Sequence, residues 1–357
     1  MNIVFATMAR ESVKRSDRGV VGLILKDAVQ ETNPITIYKE KDIPSALSKE
    51  NQEQISLALR GYDDNGDYIR PSKVAAYVIA SAAENYDDAL KYFETKKVNW
   101  LACPTIKTDE QQQEVITWVK AQRKERNKVK AVIPSTEADD EGIINYDVES
   151  VSIGETSYTA EKFAARIAGL LAATPSKCGS TYAILPDVTD CAKLNKTELD
   201  AAIDAGKFVI FSDGEKIKVA RGVNSLTTTG EAKGEPWKKI KVVETMDMVH
   251  DDLLMLAEDY YIGKYPNTYG NKCLLLSAIK AYMDELAAAG LIENYVVDFD
   301  AEAIKDYIIK NKGVSRNEAE AMSDAELKKQ YTDEKVFMTA SMTIVDVMED
   351  INLNIFV

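Results

Sequence analysis

Histidine occurs once in this chain of 357 residues, at His250, with Asp251 and Asp252 beside it. A Ser-His-Asp triad or a histidine-based metal site is therefore not expected, and a lone ring at the start of an amphipathic helix reads as a surface or partly packed residue. The four cysteines, Cys103, Cys178, Cys191 and Cys273, are scattered without a CxxC pair, so free thiols are expected rather than disulfides or zinc ligands. Neither a GxxxxGK[ST] loop nor a GxGxxG turn occurs, which removes the two commonest phosphate cradles. Basic residues are outnumbered, 44 Lys and Arg against 58 Asp and Glu, and the net charge of -14 leaves no basic face for nucleic acid. Acidity of this size mainly serves solubility.

Long apolar runs are also missing. None approaches the roughly 20 residues that span a bilayer, so no membrane insertion is expected. The N-terminus, Met1 to Arg10, lacks a basic segment ahead of its short apolar run, so no signal peptide is expected and synthesis reads as cytoplasmic. Asp63-Asp-Asn-Gly-Asp67 resembles the opening of a calcium loop, but Tyr68 stands where glycine is needed and Val74 where glutamate is needed. It reads as a tight polar turn. Asn195-Lys-Thr197 is a glycosylation sequon without meaning in an unsecreted chain. No particular carboxylate pair stands out among the acidic residues, so a glycosidase argument has no anchor. No catalytic residue, cofactor or metal is expected.

What is present is an ordinary globular composition, 45% hydrophobic and 29% charged, long enough for about two domains. Residues 1 to 10 read as an extended arm and Ser12 to Arg18 as a charged connector. Gly19 to Leu25 is a strand; Ile35, Ile37 and Tyr38 follow Pro34 as another; Ile43 to Leu47 looks like a helix start. The run from Val74 contains a strand at Ala75 to Ile79 and leads to a helix at Asp87 to Thr95. Asn99 to Cys103 is a strand, Asp109 to Lys124 a helix and Val129 to Ile133 a strand. Strands alternating with helices predict helices packed on a sheet. Asp139-Asp-Glu141 reads as a solvated loop. Ile143 to Ile153 is two short strands, and Thr159 to Ala173 a helix ended by Pro175. After a short helix at Glu198 to Ala205, Phe208 to Phe211 and Lys216 to Ala220 form a hairpin through Asp213-Gly214.

Ile240 to Val243 reads as a short strand. Val249, Leu253, Leu256 and Tyr260, then Leu276, Ile279, Met283 and Leu286, mark two helices joined through Gly263 to Asn267, the second closed by Gly290. Residues 301 to 331 look like a polar surface insertion with helical pieces at Ala301 to Ile309 and Asp324 to Gln330.

The C-terminus organises the reading. Val336, Met338, Ala340, Met342 and Ile344 alternate with Phe337, Thr339, Ser341 and Thr343, the period of a strand. After the acidic Asp346 to Asp350, Ile351, Leu353, Ile355 and Val357 alternate with Asn352, Asn354 and Phe356, a second strand running to the last residue. Such a strand needs neighbours for its N–H and C=O groups. It either pairs within its own sheet or adds to the sheet of another subunit. At about 3.3 Å per residue it reaches about 23 Å.

The phrase Ala220-Arg-Gly-Val-Asn-Ser-Leu-Thr-Thr228, then Trp237-Lys-Lys-Ile-Lys-Val-Val243, the helices joined through Gly263-Lys-Tyr-Pro-Asn267, and the terminal strands resemble the C-terminal half of contractile phage tail sheath proteins. Arg15-Ser-Asp-Arg-Gly-Val-Val21 is similar to the opening of the same family. No single motif is diagnostic; the order and spacing carry the resemblance.

The resemblance implies an α/β fold, a mixed sheet with packed helices and extended N- and C-terminal strand-donating arms. It implies a structural subunit that polymerises with itself as hexameric rings in a helical sleeve around an inner tail tube protein, bounded by a baseplate and a tail terminator. Contraction of the sleeve would drive the tube through a target envelope. The implied divisions are an N-terminal arm at 1–18, an α/β domain at 19–240 with a reduced insertion at about 29–73, a C-terminal domain at 241–345 and a C-terminal arm at 346–357. Ile3, Phe5, Ile351, Leu353, Ile355 and Val357 are the expected interface residues of the arms, and Lys272 and Lys280 the candidate tube-facing ones. Subunits would rotate nearly as rigid bodies while paired arms hold, with connectors at Ser12 to Arg18 and Asp346 to Asp350 as hinges. Phage and phage-tail-like bacteriocin both fit. The competing readings are a cytoplasmic α/β enzyme, which needs a pocket with convergent polar groups, and another self-assembling filament or shell protein.

Overall fold

A computed structural model describes residues 18–28 and 33–356. Ile3, Phe5, Val357 and most of the expected N-terminal arm lie outside the described residues. The described residues divide into two units, one holding Arg18 to Glu244 together with the C-terminal segment from Val347, the other Thr245–Asp346.

The first unit is built on β1 (Val20–Asp27), whose residues are apolar on both faces, as a strand buried between two helical layers requires. β2 (Ile35–Ile37), α1 (Lys49–Leu59), the β3–β4 hairpin (Tyr62–Asp64, Asp67–Ile69) and β5 (Lys73–Ala80) follow. Then come α2 (Asp87–Glu94), β6 (Trp100–Ala102), α3 (Gln112–Glu125), β7 (Lys130–Pro134) and β8 (Ile143–Tyr146). β9 (Val151–Ile153), β10 (Thr156–Tyr158), α4 (Ala160–Ala173), β11 (Asp190–Cys191), α5 (Lys196–Asp204), β12 (Lys207–Phe208), β13 (Ile210–Ser212) and β14 (Ile217–Val219) complete it.

Seven strands form one sheet in the order β12-β8-β7-β6-β1-β5-β2. All neighbours are parallel except β2, which runs antiparallel to β5. Alternation sorts the β1 side chains. Val21, Leu23 and Leu25 pack in the layer of α1 and α4, while Val20 and Ile24 pack in the layer of α2 and α3. The expected mixed α/β sheet with packed helices is the observed architecture.

Local readings depart from the expectation at identifiable places. The helix expected from Ile43 starts later, at Lys49, because the Ser48 side chain caps it by accepting from Asn51 N. Phe208 to Phe211 is not one strand: Phe208 pairs with Tyr146 in the large sheet, and Ile210 pairs with Val219 in the hairpin. The Asp63–Asp67 segment is a tight turn, with Asn65 and Gly66 both at positive φ.

Asp139-Asp-Glu141 is a loop, exposed at Asp139 as expected but buried at Glu141. Asp139 accepts from the backbone N–H groups of Thr227 and Thr228, which hold its pKa down at about 2. Buried Glu141 lies 2.5 Å from Lys233 Nζ and 3.6 Å from Arg123 Nη2. Burial by itself would raise the Glu141 pKa; those two cations outweigh it and lower it.

Ile240 to Val243 opens α6 (Ile240–Leu256) rather than forming a strand. Val242 and Val243 are buried at helical spacing from Met246 and Asp247, and the Val243 N–H donates to Lys239 O at 3.1 Å.

In the second unit α7 (Tyr269–Ala288) is followed by β15 (Ile292–Phe299), α8 (Ala301–Lys312), α9 (Arg316–Ala321), α10 (Asp324–Leu327) and β16 (Met338–Ile344). Met248, Val249, Leu256, Tyr282, Met283 and Leu286 make its core, and Tyr282 OH donates to buried Asp252 Oδ2 at 2.8 Å. α8 to α10 enclose a small core of their own around Ile304, Ile308 and Leu327. β15 and β16 pair antiparallel as a separate two-stranded sheet, as the alternation from Val336 predicted, with a bulge between Glu293 and Val296.

Candidate assembly site

The chain leaves β16 with Val345 N donating to Leu291 O at 3.0 Å. Val347 then lies against Gly179, where an added Cβ would sit 2.8 Å from Val347 Cγ2. Glu349 comes next, its side chain only 11% exposed, held by Arg221 Nη1 at 2.9 Å, Lys239 Nζ at 3.0 Å and Thr181 Oγ1 at 2.5 Å. The second arm of the Arg221 guanidinium reaches Asp350 Oδ1 at 2.6 Å. One planar cation thus bridges two successive carboxylates, a geometry that fixes direction as well as distance. Thr181 Oγ1 is itself oriented by accepting from Gly222 N at 2.9 Å. The segment expected to be a free hinge from Asp346 to Asp350 is therefore fastened at Glu349 and Asp350.

Beyond Asp350 the side chains are exposed. Ile351 is 82% exposed, Leu353 76%, Ile355 76% and Phe356 95%, and residues 351–356 carry no strand pairing. The expected second strand thus has its alternation but no partner within the described chain. Burying each of these side chains is worth about 1.5–3 kcal/mol, so a short tail that keeps four of them in water is out of place in an isolated subunit.

β15 and β16 form a sheet of two strands whose inner residues Ile292, Val297 and Met342 pack with α7. Only two strands are paired in it, so each has an outer edge with no ladder partner among the described residues. Beside the start of β16 lies an apolar groove of about 660 Å³, lined by Leu253, Leu256, Leu275 and Ile279 with Val336 and Met338.

The two candidate tube-facing lysines separate. Lys280 is exposed. Lys272 is 4% exposed and its ammonium donates to Gln330 O at 3.1 Å and Thr332 Oγ1 at 2.9 Å, so it is a packing residue rather than part of a surface.

In the large sheet the strand order reverses between β1 and β6, the place where doubly wound enzymes take their ligands. Here it is filled: Lys26 Nζ meets Asp109 Oδ1 at 2.7 Å, and Tyr86 OH and Thr105 Oγ1 each donate to Asp109 Oδ2 at 2.6 Å. Among the described residues no group of three or more His, Cys, Asp or Glu is placed to hold a metal ion, and no helix is long and apolar enough to cross a membrane.

An α/β core carrying an anchored but unpartnered apolar tail defines a structural assembly subunit. Comparison with known proteins gives its class. The phage tail sheath protein central domain matches residues 80–225, and the phage tail sheath C-terminal domain matches residues 232–357. The tail sheath protein of Clostridium phage phiCD119 is 37% identical over 360 residues, covering 99% of this chain and 98% of that protein. Among solved structures, the sheath tail protein of Desulfitobacterium hafniense shares the fold at a TM-score of 0.67 and 19% identity, over 84% of this chain and 93% of that one. The helical sheath of the anti-feeding prophage in its contracted state does so at a TM-score of 0.70 and 16% identity, over 100% and 98%. The chain belongs to the phage tail sheath family. It is a structural subunit of a phage tail or phage-tail-like particle and not an enzyme.

Proposed function

We propose that the chain polymerises with itself as stacked hexameric rings in a sleeve around an inner tail tube, bounded by a baseplate and a tail terminator. Assembly takes place in the bacterial cytoplasm, and contraction drives the tube through a target envelope. The observation that carries this reading is the exposed alternating tail, Ile351 to Phe356, which has no strand partner among the described residues. The tail of one subunit adds to the β15–β16 sheet of the next, and Ile351, Leu353, Ile355 and Val357 supply the apolar face that the sheet and its groove lack. Each shared backbone hydrogen bond contributes about 1 kcal/mol net, so several per tail keep subunits linked while weaker side-chain contacts rearrange.

The same reading takes residues 1–18, with Ile3 and Phe5, as the second arm, 19–240 and 241–345 as the domains, and 346–357 as the C-terminal arm. Lys280 is the remaining candidate for the tube-facing surface. In support, the anti-feeding prophage structure is of a helical sheath in a contracted state. Electron microscopy of the full chain beside a chain ending at Asp350, each with and without tube protein, tests the reading. Polymers from the full chain alone and their loss on truncation are expected; a truncated chain that polymerises as the full one does would overturn it.

A further inference from the structure

Both ends of the described first unit are fastened to one short stretch, the start of α6. Arg18 Nη2 lies 2.9 Å from Glu244 Oε2 and 3.2 Å from the Glu244 carbonyl oxygen. The other carboxylate oxygen of Glu244 meets the buried Lys130 ammonium at 2.6 Å, which sits 5.0 Å from the centre of the Trp100 ring. Earlier on the same stretch Lys239 holds Glu349, the anchor of the C-terminal tail. Between these two points Ile240 N donates to Gly222 O at 2.9 Å and Lys241 Nζ to Ser176 O at 2.5 Å.

We propose that the start of α6, from Lys239 to Glu244, is a common anchorage that sets where both terminal segments leave the subunit. This rests on the reading of those segments as strand donors. The need for it is geometric. Residues 351–356 extend to about 20 Å, so a swing of about 30° at the root carries the tip about 10 Å, twice the spacing of paired strands. A tail with a loose root would meet the wrong strand edge or none. Apolar packing at the root would hold position but not heading, whereas the forked Arg221 contact to Glu349 and Asp350 holds both.

The test uses nitroxide labels in the full chain, unassembled, with Cys178→Ser and Cys273→Ser, at Asn352→Cys beside the root or at Phe356→Cys near the tip. Expected is a restricted label at 352 and a mobile one at 356. Glu349→Gln with Asp350→Asn should raise the mobility at 352 to that at 356, whereas 1 M salt should change it little, because Glu349 is only 11% exposed and a pair so sheltered is screened far less than a surface one. A label at 352 that ignores the double substitution would overturn the anchorage. Commonality is read from melting temperatures: Arg18→Gln and the Glu349/Asp350 pair should lower Tm by less together than the sum of their separate effects, and simple additivity would reduce the anchorage to two unrelated contacts. Because the labels report on unassembled subunits, failure here leaves the truncation experiment on polymers intact, and failure there leaves this one intact.

Discussion

Arg166 and Asp187 meet face to face beneath the large sheet, Nε to Oδ2 at 3.0 Å and Nη2 to Oδ1 at 2.9 Å, while Arg60 Nη1 adds a contact to Oδ2 at 2.9 Å. Burial alone would raise the Asp187 pKa; the bonds from Arg166 and Arg60 outweigh it and hold it at about 2. A carboxylate depressed in the folded state contributes stability that is fully present above its unfolded pKa of about 4 and is lost as pH falls through about 2. The contribution is about 2 kcal/mol. Asp187→Asn should therefore lower urea stability at pH 7 by at least that much, since it leaves Arg166 buried without its counter-ion. It should also flatten the decline between pH 4 and 2. Parallel acid limbs for parent and variant would contradict the assignment.

Gly169 sits in the middle of α4 where a Cβ would lie 2.0 Å from Ala58 O on α1. Two effects oppose each other on Gly169→Ala. Helix propensity favours alanine by about 1 kcal/mol, whereas the clash is with backbone, which moves only if the helices separate, at about 1–3 kcal/mol or more. The steric effect wins, and a drop in melting temperature of several degrees is expected; a rise would mean that α1 and α4 yield more easily than their packing suggests.

Lys272→Met should destabilise the unit of Thr245–Asp346 by about 1–3 kcal/mol, because Gln330 O and Thr332 Oγ1 lose their donor inside the protein. Lys280→Glu should leave the melting temperature within about 1 °C, since an exposed substitution of this kind is worth under about 0.5 kcal/mol. If the tube lies against this helix, only the Lys280 change should weaken assembly on tube protein while leaving stability intact. Equal melting temperatures for parent and Lys272→Met would return Lys272 to the surface.

The burial of Lys272 shows what is legible in the sequence and what is not. Lys272, Leu276, Ile279, Met283 and Leu286 fall at spacings of four, three, four and three, so the lysine stands on the apolar stripe of α7. The signal was in the sequence and was overridden by residue type. Strand periodicity read well wherever one face was buried, as in β16. It misled at Ile240 to Val243, where four residues are too few to separate a strand from the first turn of a helix. The fastening of Asp139, Glu141 and Glu349 is invisible for a different reason: Arg123 stands 18 residues before Glu141, Thr227, Thr228, Lys233 and Arg221 stand 88 to 128 residues from the carboxylates they hold, and only the fold brings those groups together. The tail was legible because nothing in the fold acts on it, and its alternating pattern survives unpaired.

That independence makes the sharpest prediction. Leu353→Asp with Ile355→Asp changes two side chains that are each 76% exposed, so the subunit should keep its melting temperature and urea midpoint unchanged. In a paired strand the same changes would bury two carboxylates against an apolar face, at several kcal/mol each unless they find partners. Polymer yield by sedimentation should fall to background while the isolated subunit stays folded, and Asn352→Ser with Asn354→Ser, on the opposite side of the strand, should assemble as the parent does. A subunit that melts lower after the Asp changes would show instead that the tail packs on its own core, which is the outcome a self-paired terminus requires.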